Sequence, residues 1–149
     1  MDEQKIAVLM SIRGRAFGGA MDDEEKIDLM TRGELVATDG GWLLTYEETQ
    51  PDENKSSTVL LQITPVCVTM TRLGEFGTTM VFNKERRFEG AYRTPYGELS
   101  MAVFATRVDI MATAEQGRIL LEYQLDLQGQ FAAMHELRID YAANTEDAK

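Results

Sequence analysis

The chain has 149 residues, 44% of them hydrophobic, with 25 acidic and 15 basic side chains and a formal charge of −10. That length supports one domain over residues 1–149 with its own core, and the apolar fraction excludes a disordered chain. The acidic balance, with Arg86-Arg87 as the only adjacent basic pair, excludes a nucleic-acid surface written as a local basic run.

Cys67 is the sole cysteine, so no internal disulfide can form, which suits a reducing cytoplasm. Met1 to Lys5 lacks the basic start and apolar run of a secretion signal, and no apolar stretch approaches the ~20 residues of a spanning helix. A cytoplasmic protein with no membrane partner is the expectation.

Apolar residues recur every second position through most of the chain, the pattern of strands with one buried face. Lys5 to Arg15 is the first strand, with Ile6, Val8, Met10 and Ile12 on one face. The Gly18-Gly19 pair and the acidic cluster Asp22 to Glu25 read as a solvated loop, because adjacent like charges resist packing. Lys26 to Asp39 is the second strand, aligning Ile27, Leu29, Thr31, Gly33 and Leu35; Gly33 is expected at a bulge or bend. Asp39-Gly40-Gly41 predicts a hairpin into Trp42 to Glu48, followed by a polar connection over Gln50 to Lys55.

Ser57 to Thr64 and Val66 to Leu73 flank Pro65, which cannot donate to a ladder and belongs at a corner or edge. Thr78 to Phe82, Arg86 to Tyr92 and Leu99 to Val108 follow, the last two separated by the turn Thr94-Pro95-Tyr96-Gly97. Arg118 to Leu127 alternates most cleanly, and Gln128-Gly129 turns it into Gln130 to Tyr141. A small polar tail, residues 142–149, is expected to be flexible. Short turns imply antiparallel neighbours. The fold class is therefore all-β: an antiparallel up-and-down barrel of about eight to ten strands, preferred to a sandwich because closure removes edges.

Four segments in order carry a resemblance: Thr31-Arg32-Gly33-Glu34-Leu35, Tyr46-Glu47-Glu48, Thr71-Arg72-Leu73-Gly74 and Tyr92-Arg93-Thr94-Pro95-Tyr96-Gly97. Between Ile6 and Ile139 the chain resembles the YwiB-like family of bacterial proteins, whose function is undetermined. The resemblance implies a calycin-type barrel akin to lipocalins and fatty-acid-binding proteins, and it brings no catalytic residue with it.

Chemistry-bearing residues are few. Tyr46 and Glu48 share a face with Trp42 and Leu44, and Arg72 falls in line with Val66, Val68 and Met70. An inward Glu and an inward Arg would orient a polar ligand head; alternatively the two lie at strand ends in solvent, as most charged residues do, or pair as a plug. His135, the one histidine, alternates with Phe131, Ala133, Leu137 and Ile139, so it is either a satisfied core group or a ligand contact. Tyr92 either closes over a ligand or fixes the Pro95 corner. The nine methionines fit an adaptable pocket or an irregular core. A lone histidine and a lone cysteine give no metal spacing, and no phosphate loop, nucleophile elbow or dinucleotide fingerprint occurs, so no cofactor is expected.

Three functions follow. A binding module would hold a small, partly apolar ligand in an open cavity of the barrel interior by Tyr46, Glu48, Arg72, Tyr92 and His135, and an interior packed solid with side chains would count against it. A filled barrel would instead meet a partner or a second copy through outward Leu43, Leu60, Leu120 and Met134. An enzyme would use Glu48 or His135 as acid or base.

Overall fold

The computed structural model describes residues 5–18, 25–50, 55–74 and 77–144. Among the described residues ten strands occur: β1 Lys5–Phe17, β2 Glu25–Thr38, β3 Gly41–Gln50, β4 Lys55–Ile63, β5 Cys67–Arg72, β6 Thr78–Asn83, β7 Arg87–Thr94, β8 Gly97–Ala112, β9 Gln116–Leu127 and β10 Gln130–Ala143. All pair antiparallel in one sheet, in the order β6-β5-β4-β3-β2-β1-β10-β9-β8-β7. Every sequence neighbour except β6 and β7 is therefore a ladder neighbour, and β1 closes onto β10. The two outer strands meet where Thr78 Oγ1 donates to the Ala91 carbonyl at 3.3 Å, and the Glu85 N–H of the turn between them donates to the Ala105 carbonyl of β8 at 2.8 Å. The result is an all-β, nearly closed barrel. No described helix is long and apolar enough to cross a membrane.

Alternation explains which side chains fill it. Val8, Met10 and Ile12 of β1 point inward with Leu35, Leu44, Val59, Leu61, Val68, Phe82, Val103, Ile119, Leu121 and Ile139. One contiguous core draws on all ten strands, with Phe88 as the contribution of β7. Burying side chains of this size stabilises by roughly 1.5–3 kcal/mol each relative to exposure.

Two irregularities re-aim side chains. The register shifts between Ala105 and Arg107 of β8 and between Phe131 and Ala133 of β10. The second shift corrects the expectation for Phe131. It pairs with Asp126 instead of following the phase of Ala133 and His135, and it is 46% exposed. A bulge inserts one residue and so reverses the face of what precedes it.

Gly33 marks no bulge, because its register with Val8 and Tyr46 is unbroken. It marks a close approach: a β-carbon there would lie 2.7 Å from Met10 Sδ and 2.8 Å from the Thr45 carbonyl oxygen. Val66 also departs from its expected face. It sits in the bend after Pro65, 69% exposed, and β5 begins only at Cys67. The tail begins later than expected, since Ala142 and Ala143 pair with Leu9 and Val8 and the Asn144 N–H donates to the Ala7 carbonyl. The acidic residues Asp22 to Glu24, the connection Pro51 to Asn54 and the tail beyond Asn144 lie outside the described residues.

Candidate functional site

Tyr46, Val59, Arg72 and Thr78 form one cross-strand row over β3, β4, β5 and β6. The row lies toward the end of the barrel where β3 leaves and β6 enters. Inward phase makes Tyr46 3% exposed and carries Arg72 in among apolar neighbours. A half-buried guanidinium needs an acceptor, and Glu48, two positions beyond Tyr46 on the same face, supplies both. Arg72 Nε donates to Glu48 Oε1 at 3.1 Å and Nη2 to Oε2 at 3.2 Å, with side-chain exposures of 31% and 23%. Burial by itself would lower the Arg72 pKa, but the hydrogen bond and charge of Glu48 outweigh it and hold the guanidinium above its ordinary value.

Across the barrel, Tyr123 of β9 stands opposite His135 of β10. Their rings stack with centroids 4.9 Å apart and planes 2° from parallel, and Phe82 leans on the other side of Tyr123 at 4.7 Å and 52°. These three rings make an aromatic wall. Tyr123 and Tyr46 both lie within electrostatic reach of Arg72.

Both phenols are held protonated. Burial pushes Tyr46 up to about 12, against the pull of Arg72 and with the help of Glu48; burial pushes Tyr123 up to about 12, again against Arg72. No hydrogen bond contributes to either shift. Among the described residues no fully buried side-chain polar atom lacks a partner. Both hydroxyls therefore keep contact with solvent-reachable space, as donors without an acceptor in the described chain.

An unfolded tyrosine ionises near 10.0, so between about pH 10 and about pH 12 the unfolded chain sheds protons the folded one keeps. Stability is fully present below that window and falls as pH rises through it, by up to ~1.4 kcal/mol per unit for each phenol. Tyr141, hydrogen-bonded to the Thr113 carbonyl at 2.7 Å, shifts the same way. Alkaline titration at 295 nm should therefore show deferred ionisation of part of the five tyrosines, coincident with loss of near-ultraviolet dichroism. Independent ionisation of all five near pH 10 in a folded chain would contradict this.

Four of the five residues expected from the sequence, Tyr46, Glu48, Arg72 and His135, share the inward face, and the fifth stands apart. Tyr92 sits on β7 at the same end, 41% exposed, with no described hydrogen bond or ring contact to the others. The adjoining turn is fixed by Thr94, whose hydroxyl donates to the Gly97 carbonyl at 2.8 Å and accepts from the Tyr96 N–H at 3.1 Å. Tyr123 is the residue sequence reasoning missed. Its inward phase was legible, but its meeting with Arg72 spans the barrel.

Two open clefts lie elsewhere, and neither is lined by these side chains. One, of ≈ 560 Å³, opens at the opposite end among Trp42, Ile63, Pro65, Ile110 and Ala112. The other, of ≈ 410 Å³, crosses the outer face of the sheet. No group of described His, Cys, Asp and Glu side chains is arranged to hold a metal.

Residues 12–139 match the family described as a domain of unknown function, DUF1934. The chain belongs to this family. In structure it is similar to the ywiB protein from Bacillus subtilis, with a TM-score of 0.83, 17% identity and 96% of each chain covered. At that identity the likeness shows the fold alone, and it bears out the YwiB-like barrel expected from the four motifs. No curated protein matches the chain in sequence.

Proposed function

We propose that this barrel binds a small, partly apolar ligand whose head carries a hydrogen-bond acceptor, such as a carbonyl or carboxylate, at the Tyr46–Arg72–Tyr123 end. The observation that carries the reading is the pair of mostly buried phenol hydroxyls that face one guanidinium without an acceptor of their own. Both are donors at neutral pH, and Arg72 commits only Nε and Nη2 to Glu48. The rings of Phe82, Tyr123 and His135 offer the apolar wall. Contrary to the open interior cavity expected from the sequence, one contiguous core occupies the barrel, so the proposed ligand would sit at its mouth. Glu48 is occupied by Nε and Nη2 of Arg72, so an acid–base role for it gains no support. One free cysteine suits a cytoplasmic setting.

A second reading, an interaction module, has one specific support. Residues 107–112 of β8 pair with β9 alone, beside the cleft of Trp42 and Ile110, and an unpaired edge can template association. Outward Leu43, Leu60, Leu120 and Met134 are all half-buried and add little to it.

Native mass spectrometry of gently purified protein separates the readings. Wild type should retain a small adduct that the Tyr46→Phe/Tyr123→Phe variant loses, because each change removes one donor and keeps the ring. A bare dimer would favour the interaction module, and an adduct kept equally by both proteins would place the ligand elsewhere.

A further inference from the structure

The outer face of β2, β1, β10, β9 and β8 carries a second constellation. Arg13, Arg15, Lys26, Arg107 and Arg138 line its groove with Asp28, Glu122 and Glu136. Asp109 and Asp140 at its rim, bonded to Arg107 and Arg138, bring the local count to five cations and five carboxylates. Arg15 and Arg107 are each held by two hydrogen bonds. Arg15 grips Glu136 at 2.6 and 3.0 Å, and Arg107 holds Asp109 and Glu122 at 2.6 and 3.1 Å.

Arg13 and Arg138 differ. Register sets them directly opposite on β1 and β10, where like charges repel across a ladder. Arg13 lies 3.9 Å from Asp28, beyond hydrogen-bonding distance, with its side chain 66% exposed. Arg138 donates Nε to Asp140 at 2.8 Å, a carboxylate that also accepts from Arg118 at 2.8 Å. Its terminal nitrogens take no part in that bond. Leu120, opposite Arg138 on β9, is a half-buried apolar side chain set among charged ones.

We infer that this groove binds a small oxyanion with an apolar tail, the anion bridging Arg13 and Arg138 and the tail lying on Leu120. Guanidinium forks match carboxylate and phosphate oxygens, and an anion between the two removes the repulsion that the register imposes. The site is on the opposite face of the sheet from Tyr46 and Arg72, so it stands or falls separately from the ligand reading above.

Amide chemical shifts followed during titration with hexanoate and with acetate, at constant ionic strength, test it. Saturable shifts should centre on residues 13, 120 and 138, with hexanoate binding several-fold more tightly than acetate. Arg138→Gln should weaken hexanoate by about tenfold, the loss of a charge-assisted hydrogen bond. Leu120→Ser should erase the advantage over acetate. Arg13→Gln should weaken binding too, yet raise the melting temperature of the free protein by relieving the pair. Butyl phosphate titrated in parallel decides between the two head groups. Shifts that never saturate, or Arg138→Gln binding hexanoate as wild type does, would overturn the site.

Discussion

Gly41→Ala is expected to cost about 4 kcal/mol or more, the largest effect of a methyl added at any described glycine. Gly41 opens β3 opposite Thr38 of β2, and its added β-carbon would lie 1.8 Å from the Ile63 carbonyl oxygen, 2.8 Å from the Ile63 carbonyl carbon and 3.1 Å from Thr64 Cα. These are backbone atoms at the β4 terminus, so no rotamer change relieves the overlap. The hairpin must separate from β4, which would disturb Trp42 and Ile63 at the same end of the core. A domain holds only about 5–15 kcal/mol in total, and the melting temperature should fall by about 10 °C or more. Urea denaturation with unchanged slope and a much lower midpoint is the expected result; a midpoint within error of wild type would show that the β3–β4 contact yields freely.

Arg72→Met should cost about 2 kcal/mol, between the ~0–1 of an exposed ion pair and the 3–5 of a buried pair broken on one side. The methionine keeps the apolar volume and removes both donors that Glu48 accepts. Glu48→Gln/Arg72→Met should recover most of the loss, because the stranded charge goes with its partner. The same substitution has a spectroscopic signature. Arg72 pulls the Tyr46 and Tyr123 phenols down against burial, so its removal should drive both still higher and delay their ionisation further. It should also abolish retention of the proposed ligand. Unchanged stability together with an unchanged tyrosine titration would leave Arg72 as an ordinary surface arginine.

How legible the molecule was in its sequence depends on the range of each interaction. The ten strands were readable because period two is local: Ile119, Leu121 and Tyr123 point inward as alternation requires. Strand ends were less so. β8 runs on to Ala112 rather than stopping at Val108, since the bulge after Ala105 restores the inward phase of Val108 and Ile110. Phe131 was misplaced for the mirror-image reason, as nothing in its neighbours announces the extra residue before Ala133. The Glu48–Arg72 pair was legible only on the condition that both faces turn inward, where desolvation makes two opposite charges seek each other; alternation alone equally allowed both to stand in solvent at strand ends.

The sequence by itself determined the class of fold and which residues of each strand share a face, because alternation fixes a side chain's direction relative to its neighbours; that Tyr46, Glu48 and Arg72 turn inward was decided by the closed barrel. Only the tertiary structure decided which of these meet. Closing β1 onto β10 carries Tyr123 and His135 round toward Arg72 and leaves Tyr92 on the rim. It also sets Arg13 beside Arg138, residues 125 positions apart that no local pattern connects, because cross-strand neighbours are chosen by register around the whole barrel.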